Sequence, residues 1–146
     1  MPDSDAALHG AARVWISSIV KLLIYRAKRQ DVETGGWQQL LSMVNQDGDI
    51  ALHVAVRYGN FDVVKELINE KDPAELAKQV NNVGESALLL NVDRQDYDIA
   101  SHILDNGPDC SYAGSHGMNV LHALVIHTSI CKYCHILLLK YMSSVY

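Results

Sequence analysis

Apolar residues recur along this chain in blocks with helical spacing. Val63, Val64, Leu67 and Ile68 lie at i, i+1, i+4 and i+5, which places them on one side of a helix. The same spacing occurs twice more, at Ile19, Val20, Leu23 and Ile24 and at Ile99, Ala100, Ile103 and Leu104. A single helix cannot bury such a stripe, so the pattern predicts helices that stack against one another.

A second, shorter segment repeats ahead of each stripe. It reads GDIALHVA at residues 48–55, and its relatives are SDAALHGA at 4–11, GESALLLN at 84–91 and GMNVLHAL at 117–124. A period of about 33 residues or more is typical of repeat solenoids. The chain is therefore predicted to be one domain, 1–146, with repeats at about 4–30, 48–69, 84–106 and 117–143 and insertions at 31–45 and 70–83.

The residues around the repeated segment predict its local geometry. A glycine opens three of the repeats and is expected to supply a positive φ in a turn; these are Gly48, Gly84 and Gly117. Ser86 and Asn119 are placed to cap the helix that follows. In the second repeat Ile50 occupies that position, and Asp49 is expected to cap instead. The first insertion is predicted to hold a short helix over 37–44. In the second, Asp72 is placed as an N-cap and Pro73 in the first turn, which predicts an extra helical turn within 72–79.

This pattern resembles the ankyrin repeat, whose core reads T-P-L-H-x-A. The third and fourth repeats depart from it, with Gln95 and Thr128 at the equivalents of Gly59. The resemblance implies an all-α ankyrin solenoid of about four helix-turn-helix repeats, in which recurrent histidines tie neighbouring turns through hydrogen bonds of their ring nitrogens. The structural positions that it assigns are Leu8, His9, Gly48, Leu52, His53, Gly59, Gly84, Leu88, Gly117, Leu121 and His122.

The same resemblance implies a surface for protein partners. Ankyrin arrays bind with the tips of their turns and the exposed face of each first helix. By repeat register this surface is expected to comprise Asp47, Asp49, Arg57, Tyr58, Asn82, Glu85, Asp93, Arg94, His116 and Met118. Aromatic and arginine side chains usually contribute most to binding, so Tyr58, Arg57 and Arg94 are the expected anchors.

Two runs, 41–58 and 103–117, look like plant membrane-anchored ankyrin proteins of the accelerated-cell-death type. That resemblance implies a role in defence and cell-death signalling through protein contacts, and full-length relatives anchored by a C-terminal membrane domain. The chain begins inside a repeat and carries no such domain, so it is expected to be a fragment or a shortened product. An association with a membrane protein complex stays open.

Composition and charge narrow the functional classes. Hydrophobic residues make up 49% of the chain and charged residues 20%, which favours a folded protein. A net charge of −5 argues against general nucleic-acid binding. Three cysteines, without an export signal, favour a reducing, cytoplasmic environment. No apolar run is long enough for a transmembrane segment.

One short motif suggests chemistry. Cys131, Cys134 and His135 match the C-x-x-C-H pattern of c-type haem attachment, and with Cys110 or His127 they would make a zinc site. The same residues fall in register with a second helix of the fourth repeat, which favours a packing role. No phosphate-binding or nucleophile motif is present. We therefore predict a non-enzymatic module that binds other proteins and needs no cofactor or metal.

Two alternatives remain beside that prediction. The first is a haem or metal protein that uses the cysteine motif. The second is a nonfunctional truncated fragment whose uncapped ends expose Trp15, Ile19 and Leu137.

Overall fold

The computed structural model of the chain describes residues 9–12, 17–30, 36–69, 73–106, 110–127, 139 and 142. Within these residues the chain is helical, with two isolated antiparallel bridges, Val80–Ser86 and Ala113–Asn119. The elements are α1 (9–12), α2 (Ser17–Gln30), α3 (Gly36–Ser42), α4 (Ala51–Arg57), α5 (Phe61–Ile68), α6 (Pro73–Lys78), α7 (Ala87–Arg94), α8 (Tyr97–Asn106), a 3₁₀ turn (Ser115–Gly117) and α9 (Val120–His127).

The helices stack in two layers, as the apolar stripes predict. One layer runs from α4 through α7 to α9, and the other from α2 through α5 to α8. Within a repeat, α4 packs on α5 and α7 packs on α8. The stripe of α5 is buried between the layers, and those of α2 and α8 contribute Val20, Ile24, Ile99 and Ile103 to the same core. The described chain is thus an all-α solenoid.

Both insertions contain the short helices that the sequence predicts. The first forms α3, which packs against α2, buries Leu41 and ends two residues before the predicted Val44. The second forms α6, which contacts α5 and α8 and buries Leu76 and Ala77. The inserted helices therefore extend the second layer and leave the stacking of the first helices undisturbed.

Glycines with positive φ connect the elements where the sequence predicts them. Gly48, Gly84 and Gly117 have φ of 75°, 84° and 73°, and Gly59 has φ of 70° between α4 and α5. At the equivalent of Gly59 in the next repeat, Gln95 adopts the same left-handed conformation, with φ of 61°. That conformation costs a non-glycine residue about 1–2 kcal/mol, so the packing of α7 and α8 imposes it on the chain.

The leucines of the repeated segment are not equally buried. Leu52 and Leu88 are fully buried, as predicted, whereas Leu121 is only partly buried. The core role of Leu121 stays a prediction, because the predicted second helix of the fourth repeat, beyond α9, lies outside the described residues. Ile19 is exposed, while Leu8, Trp15 and Leu137 lie outside the described residues.

Replacement of Gly48 by alanine is expected to destabilise the fold more than the same change at Gly84. Both positions have positive φ, which costs alanine about 1–2 kcal/mol. At Gly48 an added Cβ would also meet the backbone nitrogen of Asn82 at 2.7 Å, whereas at Gly84 the nearest atom lies 3.8 Å away. Overpacking adds about 1–3 kcal/mol. Urea unfolding of both variants measures the difference, and equal losses would contradict the steric argument.

Candidate functional site

The turns that precede α4 and α7 have the same hydrogen-bonded geometry. In the first, the Asn45 side-chain oxygen accepts from the backbone amides of Asp47 and Asp49 at 2.9 and 3.0 Å. In the second, Asn81 accepts in the same way from Val83 and Glu85 at 3.2 and 2.9 Å. An asparagine that bonds its own backbone in this manner stabilises a tight turn. Both loops therefore project as matching tips.

Hydrogen bonds between neighbouring turns hold these tips in register. The backbone amide of Asn82 donates to the carbonyl oxygen of Asp47, and its side-chain amide donates to Gln46, both at 3.1 Å. The amide of Ser86 donates to the carbonyl of Ala113 at 3.2 Å. Three consecutive turns are thus joined by their backbones, and their tips form a continuous row.

The third turn is built differently. Gly114 occupies the position of the turn asparagine, and an added Cβ there would lie 2.6 Å from Leu89 and from the carbonyl of Met118. Residues Ser115–Gly117 form a 3₁₀ turn in which His116 has a positive φ of 56°. Close packing against α7 therefore replaces the side-chain hydrogen bonds of the first two turns.

Asp49 lies in the interior of the turn row and not on the partner surface that the sequence predicts. Its residue is only 2% exposed. The carboxylate accepts from the Arg57 guanidinium at 2.9 and 3.2 Å and from the Asn81 side chain at 3.0 Å. A buried carboxylate must be compensated, and here its partners come from two repeats. Asp49 is a positioning residue for the turns.

The helix caps follow the prediction at two of three positions. Ser86 Oγ accepts from the amide of Leu89 at 3.2 Å, and the Asn119 side chain accepts from the amide of His122 at 3.1 Å. The expectation that Asp49 caps α4 is wrong, because its carboxylate is engaged with other side chains. At α4 the Ile50 amide donates to Nδ1 of His53 at 3.3 Å instead.

The recurrent histidines differ in what they join. His9 bonds through Nε2 to the backbone carbonyl of Asp49 at 2.9 Å, which connects the first repeat to the second. His53 is fully buried, and its Nε2 forms no hydrogen bond with a described residue. His122 is exposed and accepts from the Asn119 amide at 3.2 Å, within its own turn. The predicted tie between turns is thus clear for His9 only.

Two histidines have lowered pKa values, for different combinations of causes. Burial lowers the pKa of His53, and the Arg57 charge adds to this, against the opposing Asp49 carboxylate. Burial also lowers the pKa of His102 on α8, where the Lys65 charge reinforces the effect. The imidazole of His102 meets the Phe61 ring edge-on, with centroids 5.6 Å apart.

The remaining residues of the predicted surface lie at the tips or at the ends of the first helices. Arg57, Tyr58 and Arg94 are exposed at the ends of α4 and α7, and Glu85 is half-buried. The guanidinium of Arg94 donates to the backbone carbonyl of Arg57 at 2.9 Å. The other exposed members of the predicted set are Asp47, Asn82, Asp93, His116 and Met118.

The structure also bears on the predicted chemistry. Cys131, Cys134 and His135 of the haem-like motif lie outside the described residues, and Cys110 is buried. Within the described chain, no group of three or more His, Cys, Asp or Glu side chains could hold a metal ion. No helix among the described residues has the length and apolarity needed to cross a membrane.

Sequence reasoning missed the two turn asparagines. The repeat pattern places Asn45 in the insertion 31–45 and Asn81 in the insertion 70–83 and predicts no role for either side chain. The sequence does contain a signal for these turns. An asparagine lies three residues before the glycine, and an acidic residue directly after it, in both Asn45-Gln-Asp-Gly-Asp and Asn81-Asn-Val-Gly-Glu.

Replacement of Asp49 by alanine is expected to lower the free energy of unfolding by about 2–4 kcal/mol, because the buried hydrogen bonds that Arg57 and Asn81 donate to its charged carboxylate are lost. The matched control is Asp47→Ala, two residues away at an exposed tip, which is expected to change stability by less than about 0.5 kcal/mol. Chemical denaturation compares them. Similar losses for both would show that Asp49 does not join the turns.

Stability is expected to fall as the pH is lowered through about 6.5, the ordinary pKa of histidine. Burial lowers the pKa of His53 in the folded chain, so between that lower pKa and about 6.5 the unfolded chain binds a proton that the folded chain does not. Acid therefore favours unfolding. His53→Gln removes the titration and keeps an acceptor for the Ile50 amide. Urea unfolding between about pH 7.5 and 5.5 should show a shallower decline for this variant, and an unchanged slope would refute the assignment.

The comparison with known families agrees with the geometry described above. The family model for ankyrin repeats, in three copies, matches residues 2–113. No curated protein matches the sequence. The matched segment holds the stacked helix pairs and the hydrogen-bonded turns, and it covers more than half of the chain; the chain therefore belongs to the ankyrin-repeat family.

Proposed function

We propose that this chain is a non-enzymatic module that binds another protein across its turn tips and the exposed ends of its first helices. The observation that carries the proposal is the row of turns joined by hydrogen bonds from Asn82 to Asp47 and from Ser86 to Ala113. Because these bonds fix the spacing of the tips, a partner meets a surface that is already ordered. Preorganisation of this kind reduces the entropic cost of binding.

The side chains along this row differ in their freedom to bind. Tyr58 is 49% exposed, and its hydroxyl forms no hydrogen bond with a described residue. The Arg57 guanidinium is held by Asp49, and that of Arg94 by the Arg57 carbonyl. Both arginines therefore present charge in a fixed position, while Tyr58 offers apolar area that a partner can bury. We infer that Tyr58 is the main anchor.

Exposed apolar side chains extend the surface along the tips. Val83 in the second turn and Met118 after the third are 58% and 41% exposed. Interfaces of this class combine an apolar centre with a polar rim, and polar Asp47, Asn82 and His116 lie beside these residues. The mixed composition supports a protein partner.

The finer proposal is a role in plant defence signalling, in a reducing cytoplasmic environment and in association with a membrane protein complex. Its support is the resemblance of the runs 41–58 and 103–117 to the plant accelerated-cell-death proteins. Identification of a captured partner as a defence protein would support this role, and partners of an unrelated process would count against it.

Replacement of Tyr58 by alanine is expected to reduce partner recovery about tenfold or more, since loss of an anchor commonly costs more than about 1.4 kcal/mol. The matched control is Tyr25→Ala on α2, because Tyr25 is similarly exposed, at 56%, but lies in the other helix layer. Quantitative mass spectrometry of proteins captured by each variant from the source organism measures recovery. Equal recovery by wild type and Tyr58→Ala would contradict the proposed surface.

A further inference from the structure

The exposed face of α2 is positively charged. Lys21, Arg26, Lys28 and Arg29 are all exposed, and no acidic residue lies within this helix. The chain as a whole has a net charge of −5, so α2 is opposite in sign to the protein that carries it. A basic helix on an acidic protein provides a local surface for a negatively charged partner.

Apolar side chains share this exposed face. Ile19, Leu22 and Tyr25 are exposed and lie at i, i+3 and i+6, so they form a ridge along the outward side of the helix. The opposite side buries Val20 and Ile24 in the core between the layers. The packing of α2 within the solenoid therefore uses one side of the helix and leaves the ridge to whatever the protein meets.

Arg29 is held beside Tyr25 on the same face. Its guanidinium donates to the Tyr25 hydroxyl at 3.3 Å and lies 5.7 Å from the centre of the ring. At the boundary of a bilayer, a tyrosine places its ring at the depth of the first acyl carbons and its hydroxyl among the headgroups. An arginine extends its charge from an apolar stem toward the phosphates. The pair thus has the polarity order that such a boundary requires.

The other helices of this layer present acidic side chains instead. Asp62 is exposed on α5, and Asp98 and Asp105 are exposed on α8. Glu66 of α5 pairs with Lys21 at 2.9 Å, so one cation of α2 is compensated within the chain. Packed helices lie about 8–10 Å apart, which puts α8 about 20 Å from α2. That distance exceeds the Debye length at physiological salt, so the acids of α8 are screened from a partner at α2.

We propose that the exposed face of α2 binds the surface of a bilayer that contains anionic lipids. The headgroups pair with the cations, and the ridge of Ile19, Leu22 and Tyr25 enters the boundary between headgroups and acyl chains. A bilayer accepts a convex ridge without a shaped pocket, whereas a protein partner has to supply a groove for it. This face lies in the layer of α5 and α8, so the inference does not depend on the partner surface at the turn tips.

The test is sedimentation of the full chain with vesicles of two compositions. One is phosphatidylcholine alone, and the other contains about one-third phosphatidylserine, both at about 0.1 M salt. We expect binding to the anionic vesicles only, with loss of binding as the salt concentration rises. No binding to either vesicle, or equal binding to both, would overturn the proposal. Retention on immobilised poly-glutamate without binding to vesicles would overturn it in favour of an acidic protein.

A charge variant separates α2 from general attraction to the protein. Arg26→Gln is expected to weaken binding to the anionic vesicles about fivefold, the usual effect of one basic side chain near such a surface. The matched control is Lys78→Gln, which removes an exposed positive charge from α6 and is expected to weaken binding less than about twofold. Equal weakening by the two variants would refute the assignment to α2.

A tyrosine variant tests the insertion of the ridge. Tyr25→Ala is expected to weaken vesicle binding about threefold or more, because the aromatic ring no longer leaves water. Tyr58→Ala is the matched control and is expected to bind vesicles as the wild type does, with the helical circular dichroism of both variants retained. Unchanged vesicle binding by Tyr25→Ala would contradict insertion. Recovery of protein partners depends on Tyr58 and vesicle binding on Tyr25, so the two proposals fail separately.

Discussion

The buried carboxylate of Asp49 is the interaction on which the arrangement of the turns depends. Its oxygens bind Arg57 of the same repeat and Asn81 of the next, and its backbone carbonyl accepts from His9 of the preceding repeat. One residue therefore connects three consecutive repeats. Removing a carboxylate from water is costly, and only the stacked arrangement supplies all of its partners. The polar contacts thus favour the correct stacking of the repeats. Most of the driving force for stacking comes from the apolar core between the two layers.

Stacking also creates surface features that no single repeat has. The tips of the turns become a row because the backbone of Asn82 reaches Asp47, and a cavity forms because the ends of two repeats meet around Asn60 and Asp96. The two features lie at opposite ends of the short first helices. The first helices therefore act as spacers, with the row of turn tips at one end and the cavity at the other.

Much of the fold could be predicted from the sequence. The apolar spacing at residues 63–68 and 99–104 predicted buried second helices, and Gly48, Gly84 and Gly117 predicted the turns, since positive φ is a property of the local chain. The caps Ser86 and Asn119 were equally predictable, because a cap bonds to a residue three positions away. Features that depend on a few neighbouring residues are encoded in those residues.

The site was predicted less completely, for a physical reason. The position of Asp49 within its repeat predicts a surface residue, because that prediction uses only positions along the chain. The burial of Asp49 depends on Asn81, 32 residues later in the sequence. The partial exposure of Leu121 and the cavity around Asn60 likewise depend on which repeats lie beside them. The sequence by itself determined the helices, the turns and the repeat family. Tertiary structure alone decided which polar side chains are buried with hydrogen-bond partners and which remain exposed, because burial and pairing are set by neighbours that are distant along the chain.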